Sequence, residues 1–206
     1  MLKKRKTKRI EQLRSPERGL NTEQIRMVRT NILNETNHGK PVLMVTSPKE
    51  NELQPLISSK LAISFAEIGK KVLLVDANFR KPALHELFGI NNRIGLSNLL
   101  MDEEGEASEV FIQNLYMLPT GSYSMHLEGF EKIEQLMTEW KRYYDAVIVE
   151  APAFLEVADS QILLAACSGM ILVIQENQTK KEDVLRTKKM LERGGYPILG
   201  AIYQTS

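Results

Sequence analysis

Short uninterrupted apolar runs alternate along the chain with stretches in which apolar residues return every three or four positions. The runs at 42–46, 72–75, 115–118, 146–149, 170–174 and 198–203 are bounded by turn residues, as strands covered on both faces are. Between them the spacing is helical. Ile57, Leu61, Phe65 and Ile68 make one stripe, closed by Gly69, and Phe130, Ile133, Leu136, Met137 and Trp140 make another. Two further helices are predicted over 159–166 and 180–191. Ahead of the first strand, Ile25, Val28 and Ile32 form the apolar side of a helix ending near Glu35, with Asn21 as its cap and Gln24 completing a capping-box arrangement. Segments 84–88 and 96–101 read as short helices, and the acidic stretch 101–108 as a loop. Strands alternating with helices predict an α/β fold: a single three-layer domain over 21–206, its mostly parallel sheet flanked by helices. Ligands of such sheets bind beyond the carboxyl ends of the strands. Those ends carry Thr46, Asp76, Gly121 and Glu150.

Composition changes this picture in few places. At 206 residues and 43% hydrophobic, the chain can fill one α/β core, and a formal charge of +1 gives no reason to expect nucleic acid as a partner. The charge is unevenly spread. Lys3, Lys4, Arg5, Lys6, Lys8 and Arg9 precede the first acid, so residues 1–20 read as a basic, flexible arm, with a tether to an anionic membrane or acidic partner as the sharper alternative. No run is apolar enough to span a bilayer and no signal-peptide core follows the basic residues, which leads to an expected cytoplasmic location. Cys167 has no partner for an internal disulfide and reads as a small buried hydrophobe. Tyr143 and Tyr144, just before a strand, read as packing residues, and His85 as structural. No His, Cys and carboxylate spacing suggests a metal site.

The most informative stretch is 42–62, a strand running through a polar loop into a helix. A nucleotide-binding α/β protein cradles phosphate here on backbone N–H groups and the helix N-terminus, using glycines, a lysine and a hydroxyl. None of these stands where it is needed. The block VLLVDANFRKPALHELFGINNRIGLSNLL (72–100) continues into YYDAVIVEAPAFLEVADSQILL and GAIYQ, and Glu23-x-x-Arg26-x-x-Arg29 precedes Thr30-Asn31. Together these resemble the CpsD/CapB-like bacterial tyrosine kinases of capsule and exopolysaccharide synthesis, over nearly the whole chain from about Thr22. The resemblance implies the P-loop NTPase-like fold of MinD/ParA-like ATPases. It also implies that Glu23, Arg26 and Arg29, read as recurring on one helix face, serve self-association.

Family members typically read T-S-x-x-P-G-E-G-K-S-T, and the chain aligns to that pattern without a gap from Thr46 to Ala62. Asn51 and Leu53 then fall on the glycines, Gln54 on the lysine, Pro55 on the magnesium-binding hydroxyl and Leu56 on the following threonine. Side chains at Asn51 and Leu53 restrict the backbone that must approach phosphate, Gln54 removes its countercharge, and Pro55 removes both a hydroxyl and an N–H. Asp76 matches the family's first acid, while Asn78 stands for a second aspartate and Glu150 for the later one; both surviving acids read as vestigial catalytic positions. Asp159 reads as a helix cap or a minor participant, and Gln204 as a vestigial base site. No tyrosine-rich tail follows the last strand before Ser206, so an internal substrate is not expected.

Intact members bind ATP and magnesium. For this chain the resemblance leads instead to a catalytically defective homologue with no cofactor and no metal. It would act as an interaction or regulatory component at the inner face of the cell membrane. The partners implied are the cytoplasmic tail of a membrane-anchored polysaccharide co-polymerase or activator, an active kinase paralogue, or copies of itself in a homo-oligomer. The alternative is an ATP-binding protein-tyrosine (auto)kinase whose phosphate contacts come from Lys49, Lys60 or a neighbouring subunit.

Overall fold

Strand β1 (Val42–Thr46) lies deep inside a seven-stranded sheet because every one of its residues is buried, leaving no edge or face for water. The computed structural model describes Leu13, residues 22–123 and residues 132–205. Along the chain it runs α1 (Thr22–Glu35), β1, α2 (Gln54–Glu67), β2 (Val72–Asp76), α3 (Leu84–Phe88), α4 (Leu96–Leu100), β3 (Ser108–Glu109) and β4 (Leu115–Leu118). It continues with α5 (Ile133–Tyr143), β5 (Ala146–Glu150), α6 (Asp159–Ala165), β6 (Gly169–Gln175), α7 (Lys181–Gly194) and β7 (Ile198–Gln204). The sheet order is β3-β4-β2-β5-β1-β6-β7, parallel except for the antiparallel pair β3–β4.

Alternation along each strand divides the apolar side chains into two cores. Leu43, Val45, Val72 and Leu74 join Ile57, Leu61 and Phe65 of α2 and Ile25, Val28 and Ile32 of α1 on one face. Val42, Met44, Leu73 and Val75 join Ile133, Met137 and Trp140 of α5 and Leu191 of α7 on the other. Leu13 is buried in the first core. No helix among the described residues is long and apolar enough to cross a membrane.

Several expectations change at the level of single residues. Helix α2 stops at Glu67 because Gly69 adopts φ 81°, which leaves Ile68 at the cap, 45% exposed rather than on the buried stripe. The acidic stretch read as a loop ends in β3, whose two residues are too few to carry a period. Of the two tyrosines read as packing, Tyr144 meets Tyr116 edge-on with ring centroids 5.5 Å apart and Lys71 Nζ over both rings. Tyr143 instead faces solvent at 62% exposure, on the outer side of the last turn of α5. Cys167 follows α6 and donates its thiol to Leu163 O at 3.2 Å, and burial pushes that thiol up to about 12. The Asn21 cap, Phe130 and the basic run at 3–9 lie outside the described residues.

Candidate functional site

Strands β2 and β5 each run one residue further than their apolar patterns, and that residue is an acid. Their parallel register sets Asp76 beside Glu150, both fully removed from water. Asp76 Oδ2 accepts the N–H groups of Ala83 and Leu84 at 3.1 and 3.0 Å, and Oδ1 accepts that of Asn78 at 3.2 Å. Burial nevertheless raises its pKa to about 6, outweighing these three donors. Glu150 is lifted well above the ordinary carboxylate range, by burial first and then by the charge of Asp76.

Gln54, in the first turn of α2, reaches into this pair. Its Nε2 donates to Glu150 Oε1 and to Ala151 O, both at 2.6 Å, and its Oε1 lies 2.7 Å from Ser47 Oγ. The Ser47 hydroxyl also lies 2.5 Å from Lys49 O, so its single proton is shared between two acceptors. A glutamine is shorter than a lysine and a glutamate longer than an aspartate by one methylene. The two residues that the sequence reading set apart, Gln54 and Glu150, therefore meet in one hydrogen bond across the site.

The loop before α2 is closed on itself. Asn51 Oδ1 accepts the Leu53 N–H at 2.9 Å, Glu50 N–H donates to Glu156 Oε2 at 3.1 Å, and Leu53 sits at φ −89°, ψ −11°. The described residues with positive φ include none between Thr46 and Leu56, so no concave nest of N–H groups forms there. A cleft of about 260 Å³ remains, lined by Ser47, Asn51, Gln54 and Glu150 with Glu50 and Lys81 at its mouth. That is below the roughly 300–1,000 Å³ usual for small-molecule sites. Lys81 is ion-paired with Glu50, so acid outweighs base around the cleft. Residues at this position thus do not fit a magnesium–triphosphate held in the ordinary way: the N–H groups of Glu50, Leu53 and Gln54 are engaged within the protein, Gln54 is a neutral amide, and Pro55 offers neither hydroxyl nor N–H.

Of the residues singled out from sequence, Asn51, Gln54, Pro55 and Glu150 border this one cleft, and Asp76 lies directly behind it. Leu53 shapes the turn. Gln204 does not join them: it is buried at the end of β7, opposite Gln175, two strands away from β1. Lys49 is exposed and is not among the lining residues. Asp159 does not cap α6, whose cap is Ala158. Sequence reasoning missed the Ser47–Gln54–Glu150 network and the Lys81–Glu50 pair, and the only signal for the first was the coincidence of two changed residues.

The N-terminal motif also divides. Arg26 pairs with Glu23 at 2.7 Å on the exposed side of α1, whereas Arg29 is partly buried and donates from Nη1 to Ser64 O at 2.6 Å. A step of three residues falls short of a turn by about 60°, so Arg29 lies about 120° from Glu23 around the helix and turns inward. The reading of one shared face is corrected accordingly. Arg29→Ala is expected to lower unfolding free energy by about 1–2 kcal/mol through the lost buried bond, and Arg26→Ala by less than about 0.5 kcal/mol. Urea unfolding of both variants checks this, and equal effects would refute it.

No family model matches the chain. It is 35% identical over 192 residues to tyrosine-protein kinase YwqD of Bacillus subtilis, covering 90% of this chain and 81% of that protein. It is 30% identical over 189 residues to the putative tyrosine-protein kinase CapB of Staphylococcus aureus, covering 88% and 82%. Among solved structures, the chimerical protein CapA2B2 superposes with TM-score 0.80 at 26% identity, over 92% of this chain and 85% of that one. The septum site-determining protein MinD of Pyrococcus horikoshii, solved with Mg-ADP, superposes at 0.67 with 22% identity, over 79% and 70%, a likeness of fold. The kinase relatives overturn the expectation of no cofactor, because a kinase consumes a phosphoryl donor.

Proposed function

Because the chain belongs to the CpsD/CapB-like family of bacterial tyrosine-protein kinases, we propose that it is a component of capsule or exopolysaccharide synthesis that acts through its contacts and does not itself transfer phosphate. ATP and magnesium are the ligands the family implies. One observation carries the reading. The amide of Gln54 stands in the family's lysine position and is committed to Glu150 and Ala151 within the protein. Phosphoryl transfer rests almost wholly on positioning and on cationic stabilisation of the phosphates, and a neutral side chain engaged elsewhere supplies neither.

In this reading the molecule works at the inner face of the cell membrane. Its partners are the cytoplasmic tail of a membrane-anchored activator of polysaccharide export and an active kinase of the same family. The test is transfer of label from γ-labelled ATP with magnesium, to the protein itself and to a tyrosine-rich peptide, alone and with the activator tail fused. The expected result is label no higher than in Asp76→Ala. Transfer that Asp76→Ala abolishes would overturn the proposal and establish a working kinase.

A further inference from the structure

At the β3 edge of the sheet a groove of about 820 Å³ is lined by Arg93, Ile94, Leu99, Glu103, Glu104 and Glu106. Its floor is apolar, with Ile94 left 57% exposed, and its rim sets three acids against one base. The acidic loop that forms this rim is held in place by its neighbours. A Cβ on Gly105 would stand 3.0 Å from Leu99 Cγ, so the backbone there lies directly on the floor. Asp102 is ion-paired with Lys132, and Glu103 accepts from Asn98 Nδ2 at 2.9 Å and from the Tyr123 hydroxyl at 3.0 Å. Glu104 and Glu106 are both exposed, and among the described residues neither side chain has a hydrogen bond or an ion pair. The groove is thus already shaped, with two carboxylates left over.

Cations to match them stand in the same chain. Lys3, Lys4, Arg5, Lys6, Lys8 and Arg9 come before any acid, with Leu2 and Ile10 at the two ends of the run. The length of chain ahead of Leu13 lets them arrive. Leu13 is buried in the core on one face of the sheet. An extended chain advances about 3.3–3.6 Å per residue, which carries Lys8 about 17 Å from Leu13 and Lys3 about 35 Å. Six strand spacings of about 4.8 Å make the seven-stranded sheet about 29 Å wide. Lys3 therefore reaches the β3 edge from any position on that face, and the run from Lys3 to Lys8 reaches it from the middle.

We infer that the basic run at 3–9 docks into the β3-edge groove of its own molecule, its cations on Glu104 and Glu106 and a flanking apolar residue on the floor. Exposed ion pairs are individually weak, but a segment tethered by a short stretch of chain meets its site at an effective concentration on the order of millimolar. A docked run is withheld from other anionic surfaces and the groove from other cationic segments, so the contact is autoinhibitory for both. The inference does not depend on whether the site around Gln54 transfers phosphate.

Zero-length carbodiimide coupling of the full chain, as an equal mixture of isotopically light and heavy protein, tests it. The expected links join Lys3, Lys4, Lys6 or Lys8 to Glu104 or Glu106 within one isotope, and they fall at least threefold at about 0.5 M salt, where exposed charges are screened. Brief treatment with trypsin should cut after residues 3–9 at least threefold faster in Glu104→Gln with Glu106→Gln, changes that add no cleavage site. Cutting elsewhere should match the parent and so report an intact fold. Links between light and heavy chains, links shared evenly with the acids of α5, or equal cutting of parent and variant each overturn the inference. Equal cutting that slows only when phosphatidylserine vesicles are added also overturns it, and assigns the run to a membrane surface instead.

Discussion

Leucine in place of Gln54 is expected to lower the unfolding free energy by about 3–5 kcal/mol. The side chain volume is nearly kept, so the loss comes from hydrogen bonds and not from a cavity. Glu150 Oε1 and Ala151 O are both deep in the protein and both lose their donor. A buried acceptor left open costs roughly 1–3 kcal/mol, with the carboxyl at the upper end. Urea unfolding with an unchanged m-value would report it, and a loss under about 1 kcal/mol would mean that water or a shifted side chain replaces the amide. Gln54→Lys should behave differently, because an ammonium beside two carboxyls draws them toward their charged forms and retains most of the stability.

A pH-dependent gain is expected from Glu150→Gln. A carboxyl whose pKa is raised on folding binds its proton more tightly in the folded chain than in the unfolded one. Stability from such a group is therefore greatest below its unfolded value, near 3.8 for Asp76, and falls as pH rises through the folded value of about 6. Glu150 is raised too, and its charge and that of Asp76 oppose each other. Glutamine at 150 keeps an oxygen for the Gln54 amide and brings an N–H₂ toward Asp76 in place of a second acid. At pH 8 the variant should be more stable than the parent by on the order of 1–3 kcal/mol, and the difference should shrink as pH falls toward 4. Melting curves at several pH values decide this, and a difference that does not vary with pH would show that the two carboxyls do not oppose each other.

What could be read in advance follows the range of the interactions involved. Strands such as β1 and β2 are buried on both sides, so they appear as runs, and their alternation with helices suffices for the layered fold. Short β3 leaves no such trace. The ends of β2 and β5 marked Asp76 and Glu150 as site residues, but only pairing of the strands sets them side by side. Gln54 and Glu150 are 96 positions apart, and no local pattern tells that one will satisfy the other. Helical drift misled the reading of Arg29, since a period of three holds one face for a single step and has left it by the second. For Gln204 the strand end was legible, yet strand order, which carries it away from the cleft, was not.

The shielded sulfur after α6 has a practical corollary. Thiol-directed reagents attack the thiolate, and the chain's single cysteine, Cys167, keeps its proton far above neutral pH. The native molecule therefore offers maleimides no ready handle. A second cysteine at an outward position such as 143 would accept a dye first, while Cys167, partly buried and holding its proton, would react more slowly until the fold opens.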